Sequence, residues 1–208
     1  MAELTFYTNP MSRGAIVRWM LEEVGQPYET VLLDYGTTMK APDYLAINPM
    51  GKVPAIKHGD VVVTEGAAIC AYLADAFPDA GLAPAPGSPE RGPYYRWLFY
   101  GAGPVEAAVI NHSLGVQIAP EKKMMVGYGD YDTVVDVLDR HFSEHEWAAG
   151  DRFTAADVYL GSQVLWGTQF GTLPKRDSFD AYAARLTGRP AAVRAKEIDA
   201  KLREQPEG

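Results

Sequence analysis

A proline-rich segment divides the chain into two parts with different residue patterns. Residues 78–93 carry five prolines together with several glycines and alanines, a composition that disfavours helices and strands. Alternating apolar segments and helical spacings precede this segment, whereas only helical spacings follow it. A length of 208 residues also exceeds that of most single domains. We therefore expect a first domain at 1–78, a linker at 79–89 and a second domain at 90–208.

The first part has the element order of an α/β domain. Strands are predicted at residues 3–8, 28–33, 52–57 and 61–64. Helical spacing follows the first strand up to Gly25, a short helix is predicted at 41–47, and another helix begins near Glu65. The first helix can only cross over, so the first two strands should pair in parallel, while the last two form a hairpin. The predicted order is βαβαββα.

The second part is predicted to be a helical bundle. Helical spacing occurs at 90–116, 121–145, 154–167, 178–187 and 191–203. Glycine, proline or asparagine separates these segments, and no pair of strands is indicated. The predicted fold class is therefore α/β plus all-α, with the two classes in separate domains.

Charge and cysteine content exclude several classes of protein. The formal net charge is −8 and Lys and Arg do not cluster, so no nucleic-acid partner is expected. Mixed charges near the C-terminus, around Asp199, indicate a solvated helix face. The single Cys70 excludes an internal disulfide, and the His141-Phe-Ser-Glu-His145 string lacks a third metal ligand, so no metal is expected. Neither a signal peptide nor an apolar run of about 18 residues is present, which favours a cytoplasmic protein without a membrane partner.

Four ordered motifs connect the chain to a known family. They are Tyr7-Thr-Asn-Pro-Met-Ser12, Asn48-Pro-Met-Gly-Lys-Val-Pro54, Thr64-Glu-Gly-Ala-Ala-Ile69 and Gly150-Asp-Arg-Phe-Thr-Ala-Ala-Asp157. They resemble, in order, the strand-turn-helix entry, the glutathione-backbone loop, the γ-glutamyl-binding turn and the buried N-capping box of the cytosolic glutathione S-transferase superfamily. The form resembled is a bacterial one with serine at the catalytic position. The resemblance implies a thioredoxin-like first domain, a helical second domain and a homodimer.

The resemblance places thiolate stabilisation on Ser12. A thiol with an ordinary pKa of about 8.5 is only a few per cent ionised at pH 7. A hydrogen bond to a charged group contributes about 1.5–3 kcal/mol, which lowers a thiol pKa by about one to two units. Two alternatives stay open. Ser12 could be an ordinary helix N-cap, and Arg13 could be the main stabiliser of the thiolate or face solvent.

The resemblance assigns glutathione binding to Lys40, Lys52, Val53, Pro54, Glu65 and Gly66. The backbone of Val53, before a cis Pro54, would bind the cysteinyl part. Free N–H groups at Glu65 and Gly66 would bind the γ-glutamyl carboxylate, and the Glu65 side chain would receive the ammonium group. Either lysine could pair with the glycyl carboxylate, Lys52 being favoured. Each assignment has an alternative. Pro54 could be an ordinary trans proline of an edge strand, and Glu65 could be a first-turn acid that interacts with the helix dipole. Both lysines could be ordinary surface residues.

The expected activity is that of a glutathione transferase involved in detoxification. Glutathione is the co-substrate, no metal is required, and the thiolate attacks a small hydrophobic electrophile. Four residues are expected to line the electrophile pocket: Met11, Arg13, Tyr100 and Trp166. The alternative is a non-catalytic glutathione-binding, ligand-binding or interaction protein of the same fold. The sequence leaves open the subclass, the electrophile, and the choice between conjugation, isomerisation, dehalogenation and peroxide reduction.

Overall fold

A computed structural model describes residues 3–204, and its chain divides into two compact units. One unit is Gly81–Gly188. The other contains the chain up to Ala80 together with the segment from Arg189 onward. The last helix, which we expected in the second domain, therefore groups with the first unit, because it packs along the first helix.

The first unit is built on a mixed four-stranded sheet. Its strands are β1 (Leu4–Thr8), β2 (Glu29–Leu32), β3 (Ala55–His58) and β4 (Val61–Thr64). Their order is β2-β1-β3-β4, with β1 parallel to β2 and antiparallel to β3, and with β3 and β4 forming the hairpin. Both the parallel pair and the hairpin confirm the predictions from the sequence.

Within residues 3–204, four helices belong to this unit. They are α1 (Gly14–Val24), α2 (Pro42–Leu45), α3 (Gly66–Ala76) and, after the second unit, α9 (Pro190–Arg203). Single 3-10 turns occupy Thr38–Lys40 and Pro78–Ala80. α1 ends at Gly25, which adopts the left-handed conformation with φ 72° and donates its N–H to the Leu21 carbonyl oxygen. The predicted order βαβαββα is confirmed.

A buried ion pair joins α1 to α9. Arg18 is 1% exposed, and its Nε donates to Asp199 Oδ1 at 3.1 Å. Its Nη1 donates to the Tyr28 hydroxyl at 3.1 Å and to Thr30 Oγ1 at 2.8 Å. Burial raises the pKa of Asp199 more than the neighbouring Arg18 lowers it. The prediction of a solvated helix face was therefore wrong at Asp199, because periodicity of charge does not reveal a buried partner.

The second unit is helical, as predicted. Its helices are α4 (Arg91–Tyr100), α5 (Glu106–Ser113), α6 (Tyr131–Glu144), α7 (Ala155–Phe170) and α8 (Asp177–Thr187). A π-helical turn at Gly101–Val105 joins α4 to α5, and Pro120–Met125 forms a 3-10 helix. The helix predicted at 121–145 begins ten residues late, at Tyr131, because Gly127 and Gly129 interrupt it. Among residues 3–204, no helix has both the length and the apolar character needed to cross a bilayer.

The predicted capping box is present at the start of α7, where Asp157 satisfies four donors. Its Oδ2 accepts the backbone N–H of Thr154 at 2.8 Å and the Thr154 hydroxyl at 3.1 Å. Its Oδ1 accepts the Ala148 N–H at 2.7 Å and the Tyr182 hydroxyl at 2.8 Å. Burial raises the pKa of Asp157 despite these bonds. One carboxylate therefore ties together the loop before α7, the first turn of α7, and α8.

Acidification is expected to destabilise the loop after α6 through His141. Its Nε2 lies 3.2 Å and 3.1 Å from the carbonyl oxygens of Trp147 and Ala148, so the neutral ring donates its N–H to this loop. Burial lowers the pKa of His141 from 6.5 to about 4. Between these values the unfolded chain binds the proton and the folded protein does not, so the free energy of unfolding decreases as the pH falls. Because the ring is half-buried, we expect a loss of only about 1–2 kcal/mol.

Urea unfolding at pH 7 and at pH 4.5 measures this loss. The His141→Gln variant, which retains a side-chain N–H but cannot titrate, should show a flatter pH dependence than the wild type. The matched variant His112→Gln, at an exposed position, should keep the wild-type pH dependence. If the free energy of unfolding of His141→Gln falls with pH as steeply as that of the wild type, the acid sensitivity belongs to other groups.

Candidate active site

The chain segments that carry the predicted glutathione-binding residues lie at one end of the sheet. Tyr7 of β1 lies opposite Ala55, and Ala55 lies opposite Thr64. Because β1 is antiparallel to β3 and β3 is antiparallel to β4, the turn after Thr8 and the segment before Ala55 lie at one end. The start of α3 follows Thr64 at the same end. Strand pairing alone therefore brings the segments containing Ser12, Val53 and Glu65 together.

Asn9 holds the turn that presents Ser12. The Asn9 carbonyl oxygen accepts the Ser12 N–H at 3.0 Å and the Ser12 hydroxyl at 2.6 Å. The Asn9 side chain accepts the Met11 N–H at 2.9 Å and donates to the Leu33 carbonyl oxygen at 2.9 Å, which ties the turn to the end of β2. Asparagine before proline is a common turn signal, so the turn could be predicted from the sequence, but the role of Asn9 in holding Ser12 could not.

The half-buried Ser12 hydroxyl is oriented from both sides. Besides donating to Asn9, it accepts the Gly14 N–H at 2.9 Å, so it satisfies one of the free donors at the start of α1. Arg13 occupies the N-cap position without a side-chain capping bond. The hydroxyl has a single proton. Donation to a thiolate would therefore require that proton to turn away from the Asn9 carbonyl oxygen.

Gly14 allows α1 to begin this close to β1. A Cβ atom built at Gly14 would lie 1.9 Å from Thr8 Oγ1 and 2.9 Å from Ser12 Oγ. Thr8 is buried, so it has little room to move. Any larger residue at position 14 would displace the Ser12 turn. No local pattern in the sequence signals this requirement.

The loop before β3 contains a backbone N–H and C=O pair that a ligand could bind. The Val53–Pro54 bond is cis, as the resemblance implied, and Pro54 is buried. Val53 is half-buried, and its side chain packs beside Leu33, Met39 and Tyr44. Its backbone N–H and C=O have no hydrogen-bond partner among residues 3–204. An extended peptide could use both groups, as a neighbouring strand would.

Glu65 adopts an unusual backbone conformation immediately before α3. Its φ is 69° and its ψ is 119°, and it is the one non-glycine residue with positive φ among residues 3–204. Such conformations cost about 1–3 kcal/mol and cluster at ligand-binding sites. The Glu65 side chain is exposed and does not cap α3. Gly66 is the first residue of α3, where backbone N–H groups lack helical acceptors.

The two predicted lysines have different surroundings. Lys40 Nζ lies 2.7 Å from the Gly51 carbonyl oxygen and 3.4 Å from that of Met50, so its ammonium group holds the loop before Lys52. The Lys52 side chain is exposed. Because Lys40 is exposed as well, the preference for Lys52 as the partner of a carboxylate remains a prediction.

The residues predicted for the electrophile pocket are distributed over both units. Met11 is 71% exposed and Arg13 is also exposed, both in the first unit. Tyr100 ends α4 and Trp166 lies on α7, and both are half-buried in the second unit. Burial raises the pKa of Tyr100. A pocket shared by these four residues remains a prediction.

No metal site is evident in the part of the chain that the structure describes. Among residues 3–204, no group of three His, Cys, Asp or Glu side chains is placed to hold an ion. The His141 and His145 rings are stacked, and His141 Nε2 is engaged with backbone carbonyl oxygens. Burial raises the pKa of the Cys70 thiol, which therefore stays protonated.

The chain combines a thioredoxin-like sheet, a cis-proline loop and a helical unit. The family described as "Glutathione S-transferase, N-terminal domain" matches residues 2–75. The chain is 41% identical over 189 residues to glutathione S-transferase 1 of Zea mays, covering 81% of this chain and 84% of the relative. It is 28% identical over 202 residues to glutathione S-transferase GST-4.5 of Xanthomonas campestris, covering 88% of this chain and 92% of that relative.

A solved structure agrees with these relatives. The structure of a sphingomonad glutathione S-transferase complexed with glutathione matches with a TM-score of 0.77 at 28% identity, covering 94% of this chain and 98% of that one. The chain belongs to the glutathione S-transferase family. Its enzymatic activity is that of a glutathione transferase.

Proposed function

We propose that Ser12 stabilises the thiolate of bound glutathione for attack on a small apolar electrophile. The observation that carries this proposal is the placement of the Ser12 hydroxyl, beside the start of α1 and at the same end of the sheet as the open backbone of Val53. The thiol proton leaves to solvent when glutathione binds. The sulfur then forms a bond to an electrophilic carbon, and the leaving group departs with the bonding electron pair.

The remaining residues position the tripeptide. The Val53 N–H and C=O bind the cysteinyl part, and the N–H groups at the start of α3 bind the γ-glutamyl carboxylate. The Glu65 carboxylate, exposed beside Gly66, receives the ammonium group. Lys52 pairs with the glycyl carboxylate, and Lys40 contributes by holding the preceding loop as well as through its charge.

The remaining assignments concern the electrophile pocket, the oligomeric state and the cellular role. Met11, Arg13, Tyr100 and Trp166 line the electrophile pocket. The protein acts as a homodimer in the cytoplasm and takes part in detoxification. These assignments rest on the family to which the chain belongs.

Titration of bound glutathione tests the role of Ser12. Thiolate absorbance near 240 nm is followed over pH for the wild type, Ser12→Ala, Arg13→Met and the control Ser143→Ala, which removes a similar hydroxyl from the surface of α6. Ser12→Ala should raise the bound thiol pKa by about one to two units and lower kcat/KM about ten- to a hundred-fold, since it removes one charge-assisted hydrogen bond. Ser143→Ala should match the wild type.

The other outcomes discriminate between the alternatives. A pKa that rises in Arg13→Met and not in Ser12→Ala would transfer the role to Arg13. Glutathione binding without a lowered thiol pKa in the wild type would indicate a non-catalytic binding protein. Absence of glutathione binding at millimolar concentration would indicate an interaction protein.

A further inference from the structure

Two buried side chains hold the peptide bond between Lys52 and Val53. The Tyr44 hydroxyl donates to the Lys52 carbonyl oxygen at 2.6 Å, and Asn48 Nδ2 donates to the same oxygen at 2.8 Å. Tyr44 is 3% exposed and Asn48 is 4% exposed. Both residues come from the α2 segment, so one short helix and its C-terminal turn supply both donors.

Asn48 is itself fixed in orientation. Its Oδ1 accepts the Met50 N–H at 3.1 Å, which leaves the NH₂ group to face the Lys52 carbonyl oxygen. Its backbone N–H donates to the Tyr44 carbonyl oxygen at 2.8 Å, so the two donors are linked to each other. The Tyr44 ring packs 5.7 Å from the Tyr7 ring, which limits its movement.

The carbonyl oxygen of Lys52 and the N–H of Val53 belong to one planar peptide group. In a trans peptide these two bonds point in opposite directions. Fixing the oxygen with two donors therefore fixes the direction of the Val53 N–H on the opposite side. Donors on a carbonyl also polarise the amide, which strengthens its N–H as a donor.

We propose that Tyr44 and Asn48 are positioning residues for glutathione, acting through the Val53 N–H. This inference rests on the proposed binding of the cysteinyl part by Val53. The pair does not touch the reacting sulfur, so it governs the affinity for glutathione and not the pKa of the bound thiol. The rival interpretation is that both residues only stabilise the core around Met39.

Tyr44→Phe separates the two interpretations, because it keeps the ring and removes one donor. The matched control is Tyr131→Phe, which removes a tyrosine hydroxyl that donates to the Thr172 carbonyl oxygen at 2.7 Å in the second unit. Calorimetry gives the Kd for glutathione, steady-state kinetics give KM and kcat, and thiolate absorbance gives the bound pKa. Thermal unfolding reports stability for each variant.

Tyr44→Phe should raise Kd and KM for glutathione about three- to ten-fold, the loss of one net hydrogen bond, with kcat and the bound thiol pKa unchanged. Asn48→Ala should act in the same direction. Tyr131→Phe should lower the melting temperature without changing Kd. Wild-type Kd in both site variants would overturn the positioning role and leave Ser12 catalysis standing. Absence of glutathione binding by the wild type would overturn the proposed function and this inference together.

Discussion

Replacement of Asp157 by alanine is expected to lower the free energy of unfolding by about 3–5 kcal/mol. The variant loses an acceptor for the buried N–H groups of Ala148 and Thr154 and for the Tyr182 hydroxyl. Water cannot replace it, because Asp157 is 0% exposed. For a protein of this size the melting temperature should fall by about 10 °C.

Differential scanning calorimetry measures this change. The control is Asp136→Ala, an exposed acid on α6, which should change the free energy of unfolding by no more than about 0.5 kcal/mol. The Asp157→Asn variant should be intermediate, since its amide retains one acceptor. A melting temperature for Asp157→Ala equal to that of Asp136→Ala would show that the capping box contributes little to stability.

Replacement of Arg18 by methionine is expected to cost about 3–5 kcal/mol in the first unit. Methionine fills a similar volume but leaves the Asp199 carboxylate buried without its cation, and leaves Thr30 without its donor. Chemical unfolding followed by tryptophan fluorescence measures the loss. The control is Lys123→Met, which breaks the exposed Lys123–Asp130 pair and should cost less than about 1 kcal/mol.

The double variant tests the cause of the Arg18 effect. Because two buried charges cost desolvation energy, Arg18→Met with Asp199→Leu should be more stable than Arg18→Met alone. Recovery of stability in the double variant would identify the unpaired Asp199 carboxylate as the origin of the lost stability. A double variant no more stable than the single one would instead assign the loss to packing of the arginine side chain against Phe6, whose ring lies 4.9 Å from the guanidinium carbon.

The order of elements could be predicted because local patterns specify it. Residues 61–64 are three valines and a threonine after a turn, and they form β4. The capping box could be predicted because its two residues are only three positions apart. The partner of Arg18 could not be predicted, because Asp199 is 181 residues away and sits in a helix with many exposed charges. Long-range pairing of charges has no local signature.

The candidate site, too, could be predicted from the sequence only in part. The family motifs contain Ser12, Val53 and Glu65, and the order of the strands brings their segments to one end of the sheet. Asn9 and Tyr44 act on these segments through carbonyl oxygens of the backbone. Residue type alone does not reveal a role of this kind. The sequence therefore predicts which segments bind the ligand more readily than which side chains hold those segments in place.

The packing of α9 in the first unit affects the order in which the two units are completed during translation. A ribosome completes residues 81–188, a continuous unit, before it adds the helix that carries Asp199. Until then, Arg18 lacks its carboxylate and the face of α1 that packs against α9 is uncovered. During translation the unit that starts first is thus finished last. Truncation within α9 should therefore harm the glutathione-binding half of the molecule more than the helical half that immediately precedes it in the chain.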